Sequence, residues 1–389
     1  VAQNSLEGVF GRLRRRPDVE APNLQAWDAT DTLLLEAAAA VVTPGSQVAV
    51  IGDRYGALTL GALAALGVRK VRVHQDLITG ERALRNNAEA LGLNAFGAPE
   101  SSADTGFAQL PLGDELLSGA DTVLLQLPRT LAELEEIADT VARHAAPGAV
   151  LLAGGRIKHM SLGMNAVLQR HFQSVQPQLA RQKSRIILAQ DAKASSGPLH
   201  VPAVEHLAEL DLDVAARGAV FAGPRLDIGT RFLLTFLPEM PSARHAVDLG
   251  CGTGILAAMY ARQNPDSVVT ATDQSAAAVA SAAGTARANG LEERIAVLQD
   301  DAMSTMPAGS ADLILLNPPF HLGASVHAGA GIKMFEAAAR VLAPGGELWT
   351  VFNRHLHYLP VLERVVGPTT VKGQNPKFTV AASRRRQER

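Results

Sequence analysis

The run Val247-Asp-Leu-Gly-Cys-Gly-Thr-Gly-Ile255 leaves the chain few folds to choose from. An apolar strand that ends in an acid, passes through three alternating glycines and opens an apolar helix is a strand–turn–helix joint. Such joints belong to parallel sheets with crossover helices. Further on, Leu315-Leu-Asn-Pro-Pro-Phe-His321 reads as a second buried strand, stopped by two prolines with an amide and an aromatic ring at its tip. Around these runs the apolar periodicity alternates between strand and helix. Strands are expected near 245–249, 268–272, 294–298, 311–316, 346–352, 369–373 and 377–382, and helices near 254–263, 275–289, 330–342 and 356–366. The short connection Lys372-Gly-Gln-Asn-Pro376 suits a terminal hairpin.

The first half repeats this order in altered form. Val48-Ala-Val-Ile-Gly-Asp-Arg-Tyr-Gly-Ala-Leu58 aligns with the glycine run, placing Val50 at Asp248 and Arg54 at Gly252. Asp76 closes a second strand as Asp273 does. Thr122-Val-Leu-Leu-Gln-Leu-Pro-Arg129 aligns with the proline run, with Gln126 for Asn317 and Arg129 for Phe320. A repeat of this size reads as a duplication with one copy decayed. An arginine at the middle glycine would block close approach of a ligand to the backbone. The expected organisation is a non-catalytic domain over residues 1–192, a linker over 193–223 opening with Ala194-Ser-Ser-Gly-Pro198, and a catalytic domain over 224–389.

A chain of 389 residues with 47% hydrophobic and 19% charged residues has material for two large cores and no case for disorder. Its one cysteine, Cys251, excludes internal disulfides and multi-cysteine zinc sites and fits a reducing cytosol. No apolar run reaches the ~18 residues that span a bilayer, and the arginines at 12, 14, 15 and 16 have no apolar stretch behind them, so a soluble cytoplasmic protein is expected. The net charge of −2 says nothing of nucleic acid, yet the charges are segregated. Val141–Gln190 holds seven Lys or Arg and no acid, whereas Pro99–Asp139 holds nine acids and one base. The basic stretch, with Arg156, Lys158, Arg181 and Lys183, is either an RNA-facing surface or a set of solvated faces.

Glycines at 250, 252 and 254 let a ligand approach the backbone, and the turn alone suits a dinucleotide or S-adenosylmethionine (SAM) equally. The downstream spacing favours SAM. Asp248 would hold the amino group of its methionine part. Asp273, 25 residues later at the end of the next strand, can accept both ribose hydroxyls, each bond worth roughly 1.5–3 kcal/mol. Asp301, with Asp300 as runner-up, would accept from the adenine amine. The alternative for Asp273 and Asp301, less favoured by the spacing, is a strand-end turn acid. The loop Phe221–Thr230, leading into a helix capped near Thr230, suits a lid on the methionine end, with Asp227, Gly229 and Thr230 at the cofactor. Cys251 reads as small buried filler. At the other run, Asn317 offers a side-chain carbonyl and Pro318 a backbone carbonyl to an exocyclic amine, while Phe320 offers a stacking face worth ~1–3 kcal/mol. His321 reads as a loop residue, since a methylated ammonium is acidic enough to need no dedicated base.

Gly223-Pro-Arg-Leu-Asp-Ile-Gly229, Val247–Ile255, Asn317–His321 and Val351–Tyr358, together with Leu24–Ala29 in the first half, resemble one family over nearly the full chain. It is the bacterial ribosomal RNA guanine-N2 methyltransferases with tandem methyltransferase-like domains. The Leu24–Ala29 and Asn353–Tyr358 runs look more like the large-subunit than the small-subunit members. The resemblance implies an α/β fold of two tandem class I (Rossmann-like) domains, each a mostly parallel seven-stranded sheet with a terminal antiparallel hairpin. It implies SAM as cofactor, ribosomal RNA or a ribosomal subunit as partner, no metal and no membrane. Alternatives are an adenine-N6 or protein-glutamine methyltransferase, against which Phe320 and the duplication argue, and a non-catalytic SAM- or RNA-binding protein. Ala-rich helices and the basic tail Arg384–Arg389 depart from the family pattern.

Overall fold

The computed structural model describes residues 2–93, 105–194, 197, 201–319 and 324–386. The chain divides into two compact units, Val1–Leu199 and His200–Arg389. The first runs α1 (Ala2–Phe10), α2 (Ala29–Ala38), β1 (Val48–Ile51), α3 (Ala57–Ala65), β2 (Lys70–His74), α4 (Ile78–Leu91), β3 (Gly106–Gln109), α5 (Asp114–Leu117), β4 (Thr122–Gln126), α6 (Leu131–His144), β5 (Val150–Arg156), α7 (Leu162–His171), β6 (Phe172–Pro177) and β7 (Ser184–Ala192). The second runs β8 (Ala203–Leu207), β9 (Leu212–Ala216), α8 (Ile228–Leu234), β10 (His245–Leu249), α9 (Ile255–Gln263), β11 (Val268–Asp273), α10 (Ala276–Ala288), β12 (Ile295–Gln299), β13 (Ala311–Leu316), α11 (Ala324–Val341), β14 (Leu342–Asn353), α12 (Leu359–Val365), β15 (Thr369–Gln374) and β16 (Phe378–Arg384).

Each unit is built on a seven-stranded sheet, in order β3-β2-β1-β4-β5-β7-β6 and β12-β11-β10-β13-β14-β16-β15. The two orders are identical, with five parallel strands and an antiparallel terminal pair. The central strands carry continuous apolar runs because both faces are covered. In β1, Val48 and Val50 pack under α1–α4, while Ala49 and Ile51 pack under α5–α7. In β13, Leu313 and Leu315 join the α8–α10 face, while Ile314 and Leu316 join the α11–α12 face. One side chain in two therefore belongs to each core layer.

Ladder register corrects one pairing of the two halves. Val50 lies opposite Val73, as Asp248 lies opposite Ala271. The Gly52 N–H bonds the His74 carbonyl, as Gly250 N–H bonds that of Thr272. The counterpart of Asp273 is therefore Gln75, not Asp76. The same reasoning places Gln126 on Asn317, through Leu124 and Leu315, in agreement with the sequence alignment.

The segment 193–223, expected as a linker, contains β8 and β9, which form a hairpin packed on α10. The α10 surface satisfies the edge of β9. Thr285 Oγ1 accepts from Ala215 N–H (3.0 Å), Ser281 Oγ from Arg217 N–H (2.9 Å), and Asn289 bonds both backbone groups of Asp213 (3.2 and 2.7 Å). The small residues of α10 permit this approach, and a Cβ at Gly284 would lie 2.8 Å from that of Ala215. The α8 cap is Asp227 rather than Thr230, and α11 starts at Ala324, ahead of the expected 330. The basic tail begins inside the fold: Arg385 donates to the Leu342 carbonyl and Arg386 to that of Glu363 (3.2 Å), while 387–389 lie outside the described residues. Among the described residues no helix is long and apolar enough to cross a membrane.

Gly284→Val should overpack the α10–β9 contact and cost about 1–3 kcal/mol. Denaturant unfolding reads this directly, and Ala215→Gly in the same chain should restore part of the loss. An unchanged midpoint in the single variant would show that the hairpin does not depend on this approach.

Candidate functional site

Two chemical groups meet at the C-terminal ends of neighbouring strands β10 and β13, where ligands of open α/β sheets bind. The first is the glycine turn. Gly250, Gly252 and Gly254 all have left-handed φ, of +72°, +53° and +78°. A Cβ at Gly254 would meet Ala282 Cβ at 2.9 Å, so this glycine serves the packing of α9 on α10. A Cβ at Gly252 would meet nothing within 4 Å, which leaves an open backbone cradle.

Asp248 is 1% exposed at the end of β10. Its Oδ2 accepts from Ala257 N–H in the first turn of α9 (3.0 Å), while its buried Oδ1 has no partner. Burial pushes the carboxyl up to about 7; the Ala257 bond opposes this and the nearby Asp273 charge adds to it. A buried carboxylate with one empty acceptor is matched by a cationic amine. Asp273 stands at the end of β11, with Oδ1 accepting from Ser275 N–H (3.0 Å) and Oδ2 from Gly252 N–H (3.1 Å). Its carboxylate thus stands against the glycine turn at the strand ends.

The two acids after β12 are separated by their surroundings. Asp300 is spent on the loop: it accepts from Asp301 N–H, Ser304 Oγ, Thr305 N–H and Thr305 Oγ1, at 2.5–2.8 Å. Burial raises its carboxyl, but the Ser304, Thr305 and Asp301 donors hold it below the usual range. Asp301 is half-buried and, among the described residues, pairs with the exposed Lys333 Nζ at 2.5 and 2.7 Å. Behind it Ala302 and Met303 both take left-handed φ, +49° and +55°. Consecutive left-handed residues without glycine are strained, and such strain gathers at ligand sites. Cys251 is buried, and burial followed by the Asp273 and Asp248 charges pushes its thiol well up, consistent with inert filler.

The second group is the Asn317 amide. Its Nδ2 donates to Asp227 Oδ2 (3.0 Å) and Thr230 Oγ1 (2.9 Å). Asp227 Oδ2 also caps α8, accepting from Gly229 N–H (2.8 Å) and Thr230 N–H (3.2 Å). The carboxylate can only accept, so the amide nitrogen must face it. That leaves Asn317 Oδ1 buried and without a partner. Gly229 is required at this point, since a Cβ would come within 3.0 Å of Asp227 Oδ2 and 3.2 Å of Asn317 Oδ1. Asp227, Gly229 and Thr230, expected at the cofactor, thus gather around Asn317. Pro318 is buried and Pro319 exposed, while Phe320 and His321 lie outside the described residues.

The first unit has the same frame with its groups changed. Gly56, at φ +97°, starts α3 as Gly254 starts α9. Val50 removes the strand-end acid, and Asp53 in the turn takes over the helix instead. Its carboxylate accepts from Gly56 N–H (3.1 Å), Leu58 N–H (3.3 Å) and Thr59 N–H (2.7 Å), closing the N-terminus of α3 from within. Asp28 caps α2 as Asp227 caps α8, and the Gln126 amide donates to Asp31 Oδ1. Of the basic residues, Arg156 ends β5 and Lys158 follows it. The Lys183 carbonyl takes the Ile157 N–H (3.0 Å), and Arg181 is turned aside to Glu36 (2.9 Å). Among the described residues no group of three or more His, Cys, Asp or Glu could hold a metal.

Asp248 is raised in the folded state from the ~3.9 of an unfolded chain. The folded protein therefore binds more protons between about pH 4 and 7, and its stability falls as pH rises through that window. Asp248→Asn removes this penalty. Its melting temperature should exceed that of the parent by a margin that grows from pH 5 to pH 8. A margin independent of pH would place the carboxyl at an ordinary value.

The "Methyltransferase small domain" family model matches residues 211–382. The "RLMG N-terminal domain" model matches residues 2–193. The ribosomal RNA large subunit methyltransferase G of Pseudomonas paraeruginosa is 35% identical over 370 residues, covering 95% of this chain and 96% of that protein. That of Streptomyces avermitilis is 35% identical over 375 residues, covering 95% of each. A T. thermophilus 16S rRNA N2 methyltransferase, solved in complex with AdoMet and guanosine, superposes with a TM-score of 0.73 at 20% identity. That match covers 97% of this chain and 99% of the other and shows a shared fold. With a third of its residues identical to these relatives across nearly the whole of both chains, this chain belongs to the ribosomal RNA large subunit methyltransferase G family.

Proposed function

We propose that this protein transfers a methyl group from SAM to the exocyclic N2 amine of a guanine in large-subunit ribosomal RNA, in the cytoplasm. The observation that carries the reading is the unpartnered Asn317 Oδ1, held by a clamped amide on the strand next to Asp248. Membership of the large-subunit family supports the choice of RNA. The second unit carries the chemistry. The first, with Val50, Arg54, Gln75 and Asp53 at the corresponding places, is non-catalytic.

The residues fit SAM. Asp248 Oδ1 would take the amino group, Asp273 the ribose hydroxyls and Asp301 the adenine amine, with the methionine part over the Gly252 cradle. When bound, SAM supplies a methyl already activated by its sulfonium. The chain's own task is to orient the amine. Its lone pair is delocalised into the ring, and it becomes a nucleophile as the nitrogen turns tetrahedral. Asn317 Oδ1 and the Pro318 carbonyl would accept hydrogen bonds from the two N–H groups and so aim the lone pair at the methyl. Water removes the extra proton from the acidic methylated ammonium. Phe320 would stack on the base.

Asp227 is a positioning residue in this scheme. Asn317→Ala should keep SAM affinity and cut kcat by about 10²–10³. Asp227→Ala removes the acceptor that faces the Asn317 nitrogen and frees the amide to turn, so it should lower kcat with little change in SAM affinity. Near-parental turnover of Asn317→Ala would sink the acceptor role. Titration should find one SAM per chain, lost in Asp248→Ala. Transfer of labelled methyl onto separated ribosomal RNAs, followed by nucleoside analysis, should give N2-methylguanosine in the large-subunit RNA. Label in N6-methyladenosine or in protein would reject the reading.

A further inference from the structure

We propose that the C-terminal edge of the first unit's sheet, where the second unit has its reaction site, is a binding surface for the phosphates of an RNA strand. The proposal rests on the reading of RNA as substrate and adds where, on the non-catalytic half, its backbone is held.

Sheet topology assembles the surface. Arg54 lies three residues beyond the end of β1, and Arg129 three residues beyond the end of the adjacent β4. Arg156 ends β5, the next strand, and Lys158 follows in the turn after it. Parallel strands with a common direction deliver all four cations to one edge. Arg54, Arg129 and Lys158 are exposed and Arg156 is half-buried. None of the four has an ion pair or side-chain hydrogen bond among the described residues, in contrast to Arg143, Arg170 and Arg181, which pair with Asp139, Glu135 and Glu36. Partial desolvation, then the charges of Lys158, Arg129, Arg54 and Arg156, hold the His159 imidazole below its ordinary range. Their mutual repulsion is felt at one exposed residue, so the cations form a cluster.

Cations gathered at one edge without ion pairs of their own are costly to keep unless an anion neutralises them. Neighbouring strands are spaced by about 4.8 Å. Three adjacent strands therefore spread the cations over roughly 10 Å, an arrangement suited to successive phosphates of one strand rather than to one compact anion. The substitutions that removed the cofactor and base contacts, Arg for glycine at 54 and Arg at 129, are the ones that supply the charge.

The test uses the full-length chain. Arg54→Glu/Arg129→Glu/Lys158→Glu is compared with the parent and with Arg69→Glu/Lys70→Glu, which reverses charge at the opposite edge of the same sheet beside β2. RNA affinity is measured on large-subunit ribosomal RNA across a salt series, with SAM affinity and kcat at saturating RNA on the same samples. The triple variant should bind RNA on the order of tenfold to a hundredfold more weakly, with the salt slope reduced by about 2 from three lost phosphate contacts. SAM affinity, kcat at saturating RNA and melting temperature should be unchanged, and the opposite-edge control should bind RNA as the parent does. The milder Arg54→Gln/Arg129→Gln/Lys158→Gln variant covers any loss of folding in the triple. Parental affinity and slope in that variant, or an equal loss in the opposite-edge control, would overturn the proposal. Failure of the parent to methylate RNA at all would instead reject the function proposed above, whatever the binding results.

Discussion

The hydrogen bond from Ala257 N–H to Asp248 Oδ2 ties the end of the central strand to the first turn of the helix that follows. Three left-handed glycines carry the chain between these two anchors, so the turn keeps one shape. That bond, with those of the Gly250 and Cys251 N–H groups to the Thr272 carbonyl, fixes the path of the backbone and leaves the second Asp248 oxygen buried and empty. A group so placed is unfavourable for the fold on its own, and a cationic ligand relieves it. Stability is thus exchanged for a site that is ready before the ligand arrives.

The neighbouring strand follows the same logic by other means. Asn317 could present either end of its amide, and the choice is made elsewhere in the chain. Asp227 is ninety residues upstream, caps a different helix and accepts only. The acceptor geometry therefore depends on the start of α8 as much as on the Asn-Pro-Pro run. Asp227 and Gly229 form one device, in which the glycine gives room for the carboxylate and amide to meet.

Duplication shows what the frame allows. Both sheets have the same order, and both first helices of the glycine turn start at a left-handed glycine. In the second unit the acid that holds the helix sits on the strand. In the first it sits in the turn, as Asp53, and uses three N–H groups at the helix start. The change satisfies the fold locally and removes the ligand's place. A scaffold whose strands all end at one edge then offers that edge for other use, and exposed arginines occupy it.

The sequence by itself determined the fold class, the duplication and the succession of strands and helices along the chain. Alternating apolar periods and glycine turns are local signals, and a parallel sheet with its helices follows from them. It also marked Asp248, Asp273, Asn317 and the glycines, because strand-end positions can be counted along the chain. Tertiary structure decided what depends on register and on side chains distant in sequence. Register set Gln75 opposite Asp273, which counting had given to Asp76. Local donors consumed Asp300, whereas Asp301 meets a side chain from α11, Lys333. Residues 203–216, read as part of a linker because Ala194-Ser-Ser-Gly-Pro198 precedes them, fold as a hairpin because α10 offers hydroxyls to the backbone N–H groups along its edge. In the basic stretch Arg181 pairs with Glu36, while Arg54 and Arg129 come from other strands to stand near Lys158 and His159. Charge in a sequence window is a sum along one dimension, whereas a binding surface is a sum over the strands that end at one edge.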